Sequence, residues 1–506
     1  MQRDDTGLSS LSLIKFFIDE HGCAKNQVDA ELMIARLESS GFAFTKNPNE
    51  ADIIIVNTCG FIESAKKESL ASILSIKKNY ENAKVVVTGC LAERYAKTLA
   101  EEISEIDAIF GNGDVNRIDE VISKLLKTKS QKNFQSTEKT IAKNCINENK
   151  NEKIILQTEQ KGIAVGKRTQ FLSFPGSAYV KITEGCSNHC SFCAIPLIRG
   201  ELRSRKIADI VAEIKELVAR GIYEINLIGQ DIAAFGTGAN DDVAGFGKSE
   251  LPVILENGKN CGTSKKSALA LLLKAILKLR GRFILRLLYQ HPDHFNFDVL
   301  DVMKSDARLL PYFDIPFQSG DDEIIKKMNR RGSQKEYERL IKKIKNVFPD
   351  ASIRTTFLVG FPSETKESFL NTKNFLKNIQ SDWSGCFSYS KEENTAAFSM
   401  KQKVSKKIAN ARVLELQKEQ EAITEKKLFS RIKKEYDVLI EEVIPTDDDE
   451  GLALSRAWFQ APDVDGTVVL RYDKTNKTQA KKIYAGNVVH VFAESVRGID
   501  IEARVL

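Results

Sequence analysis

The chain has 506 residues, 42% of them apolar, and its 75 Lys plus Arg against 69 Asp plus Glu leave a net charge of +6. That length suits about three domains of roughly 100–200 residues each, and so balanced a charge does not announce a polyanion partner. No run of about 18 apolar residues occurs, which argues against a membrane span, and SLSLIKFFI at 10–18 lacks the basic flank and cleavage site of a signal peptide.

A cytoplasmic protein is therefore expected, in which nine cysteines read as metal ligands or buried thiols rather than disulfides. IKFFIDEHGC (14–23), ADIIIVNTCG (51–60) and KVVVTGC (84–90) are short β-branched runs separated by helical patterns at 27–39 and 61–79. They predict buried parallel strands of a doubly wound α/β domain over 10–126. Each run ends in a cysteine, so Cys23, Cys59 and Cys90 fall just past strand C-termini, the edge where such sheets place ligands. Gly22, Gly60 and Gly89 beside them let the backbone approach a bulky object. Three strand-end thiols in register are difficult to explain as packing and mark a candidate metal site. AIFG at 108–111 adds a strand, and a helix over 115–126 closes the domain. Residues 127–172 are rich in Lys, Asn, Gln, Ser and Glu without periodicity and read as a linker, with Cys145 in it as a free thiol. GIAVGKRT (162–169) matches a phosphate loop only loosely, because Arg168 stands where Ser or Thr is required.

From Ser177 strand and helix alternate: SAYVKI, EINLI (224–228), FILRLL (283–288), YFDI (312–315), SIRTTFLV (352–359) and CFSYS (386–390). Six βα units predict a partial (β/α)6 barrel over 173–425, with functional groups in the loops after the strands. The first such loop, TEGCSNHCSFCAIPLIRGELRSR (183–205), holds Cys186, Cys190 and Cys193 at C-x3-C-x2-C spacing. Zinc usually takes four ligands in pairs and would need His189 or a borrowed ligand here; a four-iron cluster on three thiolates keeps one iron open to bind something else. The later loops are Gly229-Gln230-Asp231, Tyr289-Gln290-His291-Pro292, Pro316-Phe317-Gln318-Ser319 and Gly360-Phe361-Pro362. Of these, Gly360-Phe361-Pro362 reads equally as a turn, and His291 and His294 read as ordinary loop histidines. Cys386 reads as buried core. A Gly-, Asn- and Lys-rich excursion over 235–267, with Cys261, reads as a tolerated surface insertion. A charged helical stretch near 403–434 leads to five short strands in the last domain, 426–506, the pattern of a small oligonucleotide-binding type barrel. From Glu435 to Leu506 stand fourteen acidic and eight basic residues, a balance better suited to a basic protein than to RNA.

The C-x3-C-x2-C loop resembles the signature of the radical S-adenosylmethionine (SAM) superfamily. Together with H-G-C, N-T-C and T-G-C the chain resembles, over nearly its whole length, the radical SAM methylthiotransferases, which end in a TRAM domain. RGELRSR, FDIPFQSG, MNRRGS (328–333) and ALSRAWFQAPDVDG (453–466) look most like the branch that modifies a ribosomal protein, whereas Gln318-Ser319 reads like the transfer-RNA branch. The resemblance implies two four-iron four-sulfur clusters, one on Cys186, Cys190 and Cys193 whose open iron chelates SAM, and an auxiliary one on Cys23, Cys59 and Cys90. It also implies SAM contacts from Gly229, Gln230, Gln318, Ser319 and Arg205. In the implied reaction the first cluster cleaves SAM to a radical that takes hydrogen from an aspartate β-carbon in ribosomal protein S-twelve. Sulfur then arrives through the second cluster, with its methyl from another SAM. Such a carbon has no acidic proton, so general acid–base catalysis cannot open it. The implied partners are S-twelve, free or in the small subunit, and an electron donor such as flavodoxin or ferredoxin, with the chain acting as a monomer. The alternatives are a transfer-RNA adenosine substrate or another radical SAM reaction with an electron-relaying auxiliary cluster.

Overall fold

The computed structural model describes residues 13–130, 153–157, 162–243 and 267–506; Cys145, Cys261 and most of the 235–267 excursion lie outside them. The chain divides into two compact units, Met1–Leu172 and Ser173–Leu506. Among the described residues no helix is long and apolar enough to cross a membrane.

The first unit is a fully parallel sheet built from β1 (Lys15–Glu20), β2 (Ala43–Phe44), β3 (Ile53–Thr58), β4 (Lys84–Thr88), β5 (Ala108–Phe110) and β6 (Ile154–Leu156), in the order β2-β1-β3-β4-β5-β6. Central β3, IIIVNT, is buried along its whole length, as a continuous β-branched run in a doubly covered sheet should be. Its Ile54 and Val56, with Val85 and Val87 of β4, pack against Ile73 and Ile76 of α2 (Glu63–Asn79) and Leu91 and Leu99 of α3 (Gly89–Glu102). Two short strands, β2 and β6, have no counterpart in the sequence reading. β6 lies inside the stretch read as a linker: three residues cannot show a period, and Ile154–Leu156 acquires its conformation by pairing with β5. Residues 162–172 are also tied to this unit, since buried Arg168 pairs with buried Glu31 at 2.6 Å and Glu31 accepts the Leu172 N–H. The Arg168 that spoils the phosphate-loop pattern is thus a packing anchor.

The second unit opens with β7 (Ser177–Lys181) and a two-stranded ribbon, β8 (Thr183–Glu184) with β9 (Arg203–Ser204), that brackets the cysteine loop. β10 (Glu224–Ile228), β11 (Ile284–Leu287), β12 (Leu309–Asp314), β13 (Ser352–Val359) and β14 (Trp383–Ser388) complete an open six-stranded parallel sheet, β14-β13-β12-β11-β10-β7, the expected partial barrel. Cys386 is buried in β14. A helix over Lys406–Phe429, capped by the Ser405 side chain, leads to a closed barrel of β15 (Glu435–Ile444), β16 (Glu450–Arg456), β17 (Val468–Asp473), β18 (Val488–Arg497) and β19 (Asp500–Val505). Its order is β15-β16-β17-β19-β18, with only β17 and β19 parallel.

The loop between β16 and β17 plugs the bottom of the larger barrel. Tyr179 of β7 donates to Asp463, Tyr312 of β12 to Asp465 and Arg286 of β11 to the Trp458 carbonyl. Glu224 of β10 sits between Arg286 (2.7 Å) and Arg456 (2.6 Å), all fully buried. Burial opposes its charge, but the two guanidiniums hold the carboxyl far below the usual range. Removing one partner from such a set costs about 3–5 kcal/mol, because a charge is left buried and unpaired.

Candidate functional site

In the first unit the three strand-end cysteines come from separate loops that one side chain laces together. Asn26, 1% exposed in the first turn of α1 (Ala24–Ser39), donates to the carbonyls of His21 (3.0 Å) and Thr58 (2.9 Å). Its amide oxygen accepts the Cys90 thiol at 3.4 Å. Asn57 returns the tie by donating to the Asn26 carbonyl. Space here is reserved by glycine: a Cβ on Gly22, at φ +119°, would stand 3.3 Å from the Cys59 Cβ, and one on Gly60 would strike the Cys90 backbone at 2.7 Å. The Asn112 amide reaches Cys90 Sγ at 3.6 Å, while buried Asn112 Oδ1, Thr88 Oγ1 and Glu20 Oε1 have no hydrogen-bond partner among the described residues. Cys23 is exposed, Cys59 half-buried and Cys90 buried.

In the second unit the three cysteines share one loop, strapped down from several sides. Ser191 donates its N–H to the Met328 carbonyl and its hydroxyl to the Lys327 carbonyl, and its own carbonyl accepts the Ala397 N–H. Phe192 packs on Ile324, Met328, Phe361 and Ala397. Asn188 donates to Asp231 at 3.0 Å, tying the loop to the end of β10. All three cysteines are half-buried, and burial pushes the Cys186 thiol up to about 12 and raises those of Cys190 and Cys193. Asp231 also accepts from the His294 ring (2.7 Å) and from the N–H groups of His291 and Ala233. Burial works against its charge, yet His294, His291 and Asn188 hold it down at about 2. His294 is raised by Asp231 against its burial, whereas burial and Arg330 push neighbouring His291 down to about 3. Among the described residues, Asp231, His291 and His294 are the one set of three metal-capable side chains whose ligand atoms all lie within 4.8 Å. Their hydrogen bonds to one another and to Asn188 already satisfy the carboxylate.

The sequence matches the uncharacterized protein family UPF0004 over residues 15–111, the radical SAM superfamily over 180–376 and the TRAM domain over 432–506. It is 49% identical over 494 residues to the ribosomal protein uS12 methylthiotransferase RimO of Treponema denticola, covering 96% of this chain and 99% of the relative. The chain belongs to the RimO family. The RimO of a Thermoanaerobacter species is 37% identical, over 90% of this chain and 93% of that protein. A solved structure of the radical SAM methyltransferase TsrM from Kitasatospora setae shares the fold, with a TM-score of 0.50, 13% identity and coverage of 76% and 73%. The chain is a radical SAM methylthiotransferase.

Membership of that superfamily implies a four-iron four-sulfur cluster and SAM, and the residues of the barrel mouth fit both. Three half-buried thiols in one loop offer three soft ligands and leave a fourth position open. Cys193 Sγ receives the Ile195 N–H at 3.5 Å, a partner suited to a thiolate. Thr183 Oγ1, Gln230 Oε1 and Gln290 Nε2 are buried without hydrogen-bond partners among the described residues, which suits a polar ligand. Gly229 has no room for a side chain, since its Cβ would lie 2.0 Å from Thr183 Oγ1. Gln230 donates its amide to Glu184, itself fixed by Lys181 and Arg199. Gln318, at φ +71°, bridges to β13 through its backbone. The Ser319 hydroxyl hydrogen-bonds that of Thr372 and accepts the Asp321 N–H, and Arg205 donates to the Lys181 carbonyl and Glu213. Both spend those groups inside the protein.

Four residues central to these sites carry no sequence signal of their own type. Asn26 sits in a polar helical turn, and Asp231 and His291 pass for loop residues. Arg330 lies in MNRRGS, which the family resemblance marks without giving a role.

Proposed function

We propose that this chain methylthiolates the β-carbon of an aspartate in ribosomal protein S-twelve. In this reading Cys186, Cys190 and Cys193 hold the SAM-binding cluster, and Cys23, Cys59 and Cys90 hold an auxiliary cluster that delivers sulfur. SAM serves both as methyl donor and as radical source. The observation that carries the proposal is the joint presence of two thiol triads, each at the C-terminal edge of a parallel sheet, in a chain 49% identical to a uS12 methylthiotransferase. The acidic final barrel supports a basic protein as partner.

When bound, cluster and SAM supply one-electron chemistry able to remove a hydrogen that no side-chain base can take. The chain's own residues bind, orient and exclude water. Asp231 and Ser191 fix the cysteine loop before SAM arrives, which limits reorganisation at the moment of reaction. Thr183, Gln230 and Gln290 offer SAM their unpartnered polar atoms, and Gly229 keeps that space clear. The plug formed by Trp458, Asp463 and Asp465 closes the far end of the barrel and would keep water out from below. In the first unit Asn26 holds three loops so that thiolates from three strand ends bind one object.

The test is to incubate reconstituted protein, SAM and a one-electron reductant with S-twelve protein or with transfer RNA, and to weigh both by mass spectrometry. A methylthio mass on S-twelve is expected. That mass on transfer RNA alone, or reductive SAM cleavage with neither substrate altered, would sink the proposal.

A further inference from the structure

Two side chains converge on one sulfur of the barrel-mouth triad. His291 Nε2 stands 3.8 Å from Cys190 Sγ. The other ring nitrogen is committed, because Nδ1 accepts the Asp293 backbone N–H at 3.2 Å. The ring hydrogen therefore sits on Nε2 and points at the sulfur. The buried Arg330 guanidinium, whose Nε has no hydrogen-bond partner among the described residues, also favours the thiolate of that sulfur. It is 7% exposed and held in place by donating from Nη1 to the carbonyls of Pro316 (2.6 Å) and Phe317 (3.2 Å). Asp293 governs both donors. Its N–H sets the histidine tautomer, and its carboxylate accepts the N–H groups of Arg331 (2.8 Å) and Gly332 (3.2 Å) and the Tyr337 hydroxyl (2.8 Å), pinning the loop that carries Arg330. The partner of Cys193 Sγ, the Ile195 N–H, is neutral.

We propose that His291 and Arg330 are positioning residues that raise the reduction potential of the cluster through the Cys190 thiolate. The inference rests on the reading that Cys190 is a cluster ligand. Reduction adds one electron, drawn from a low-potential donor protein, and no proton, so the site gains one negative charge. A fixed N–H and a buried positive charge at a ligand sulfur favour that more negative state. Electron uptake is thereby eased at one corner of the cluster, while the open iron is left to SAM.

The experiment is a redox titration of reconstituted full-length protein, followed by the electron paramagnetic resonance of the reduced clusters. The SAM-binding cluster is assigned as the signal that changes on adding SAM. His291→Asn keeps an acceptor for the Asp293 N–H but does not reach the sulfur, and His291→Gln restores the reach. Arg330→Gln removes the charge, and Arg330→Lys returns it. At a fixed solution potential the reduced-to-oxidised ratio is expected to fall about tenfold in Arg330→Gln, which is ~59 mV for one electron. A smaller fall of about threefold is expected in His291→Asn, with partial recovery in His291→Gln and Arg330→Lys. Iron content should stay at the wild-type level. Unchanged ratios in both His291→Asn and Arg330→Gln overturn the proposal, and so does loss of iron with an unshifted midpoint in the cluster that remains. If the unaltered protein assembles no cluster on Cys186, Cys190 and Cys193, the underlying reading fails instead.

Discussion

The two cysteine triads solve opposite problems. Cys186, Cys190 and Cys193 lie half-buried within one loop, held by Ser191, Asn188 and Asp231 and flanked by buried polar side chains. Cys23, Cys59 and Cys90 come from three strand ends, depend on Asn26 to meet, and range from exposed to buried. A site that generates a radical gains from exclusion of water, whereas a site that passes on a sulfur must be reached from outside. In the proposed division of labour the local triad therefore needs sealing and the dispersed triad access.

The sharpest way to break this contrast is to remove one thiol from each. Cys190→Ala is expected to bring reductive SAM cleavage, read as deoxyadenosine formation, down to background. Cys59→Ala is expected to abolish methylthio transfer while deoxyadenosine formation stays within about twofold of wild type. Each variant should keep about half the iron of the parent. Equal loss of cleavage in both would count heavily against the division of labour.

Less drastic substitutions probe how each triad is held. Asn26→Ala removes the hydrogen bonds that the His21 and Thr58 carbonyls and the Cys90 thiol make with this side chain in the interior. A cost of about 2–4 kcal/mol follows from their loss. It should appear as a lower denaturant midpoint and faster loss of half the iron to a chelator. Asn188→Ala removes one side-chain bond from a loop that Ser191 still holds, at a cost of about 1 kcal/mol. Equal chelator sensitivity in the two variants would show that the local loop is no more self-sufficient than the dispersed site.

How much of this was legible in the sequence follows the same division. The local triad announces itself, because ligands three and two residues apart are a pattern in one dimension. The dispersed triad was legible only through the strands that precede each thiol, whose β-branched runs predict the shared edge. Asn26 was not legible, since its role depends on carbonyls 5 residues back and 32 residues ahead. Neither was the barrel plug: ALSRAWFQAPDVDG reads as strand and turn, and only the fold brings Asp463 to Tyr179 across 284 positions. Strands β2 and β6 were missed because two or three residues carry no period, and pairing with a neighbour sets their conformation. His291 was set aside as an ordinary loop histidine, because nothing in Tyr289-Gln290-His291-Pro292 shows that Cys190, 101 residues earlier, lies against its ring.

Iron-free protein offers the gentlest test of the contrast. Cys23 is exposed, so iodoacetamide should reach it first. Cys186 is half-buried and its thiol is pushed up to about 12. Only the thiolate reacts, and at pH 7.5 a thiol at that value is ionised about a thousandfold less than one with the usual pKa near 8.5. Cys23 is therefore expected to label at least about a hundredfold faster than Cys186, measured by peptide mapping after timed quenching. The pH dependence has a definite sign. Because its thiol is raised, Cys186 should gain about tenfold in rate for each pH unit from 7 to 9.5, with no plateau below about 12. Reconstitution should then protect Cys23 along with the rest, because a thiolate bound to iron is no longer free to attack. A Cys23 that still labels at its former rate in iron-loaded protein would remove it from the auxiliary set, and with it the case that the exposed thiol is what makes that site accessible.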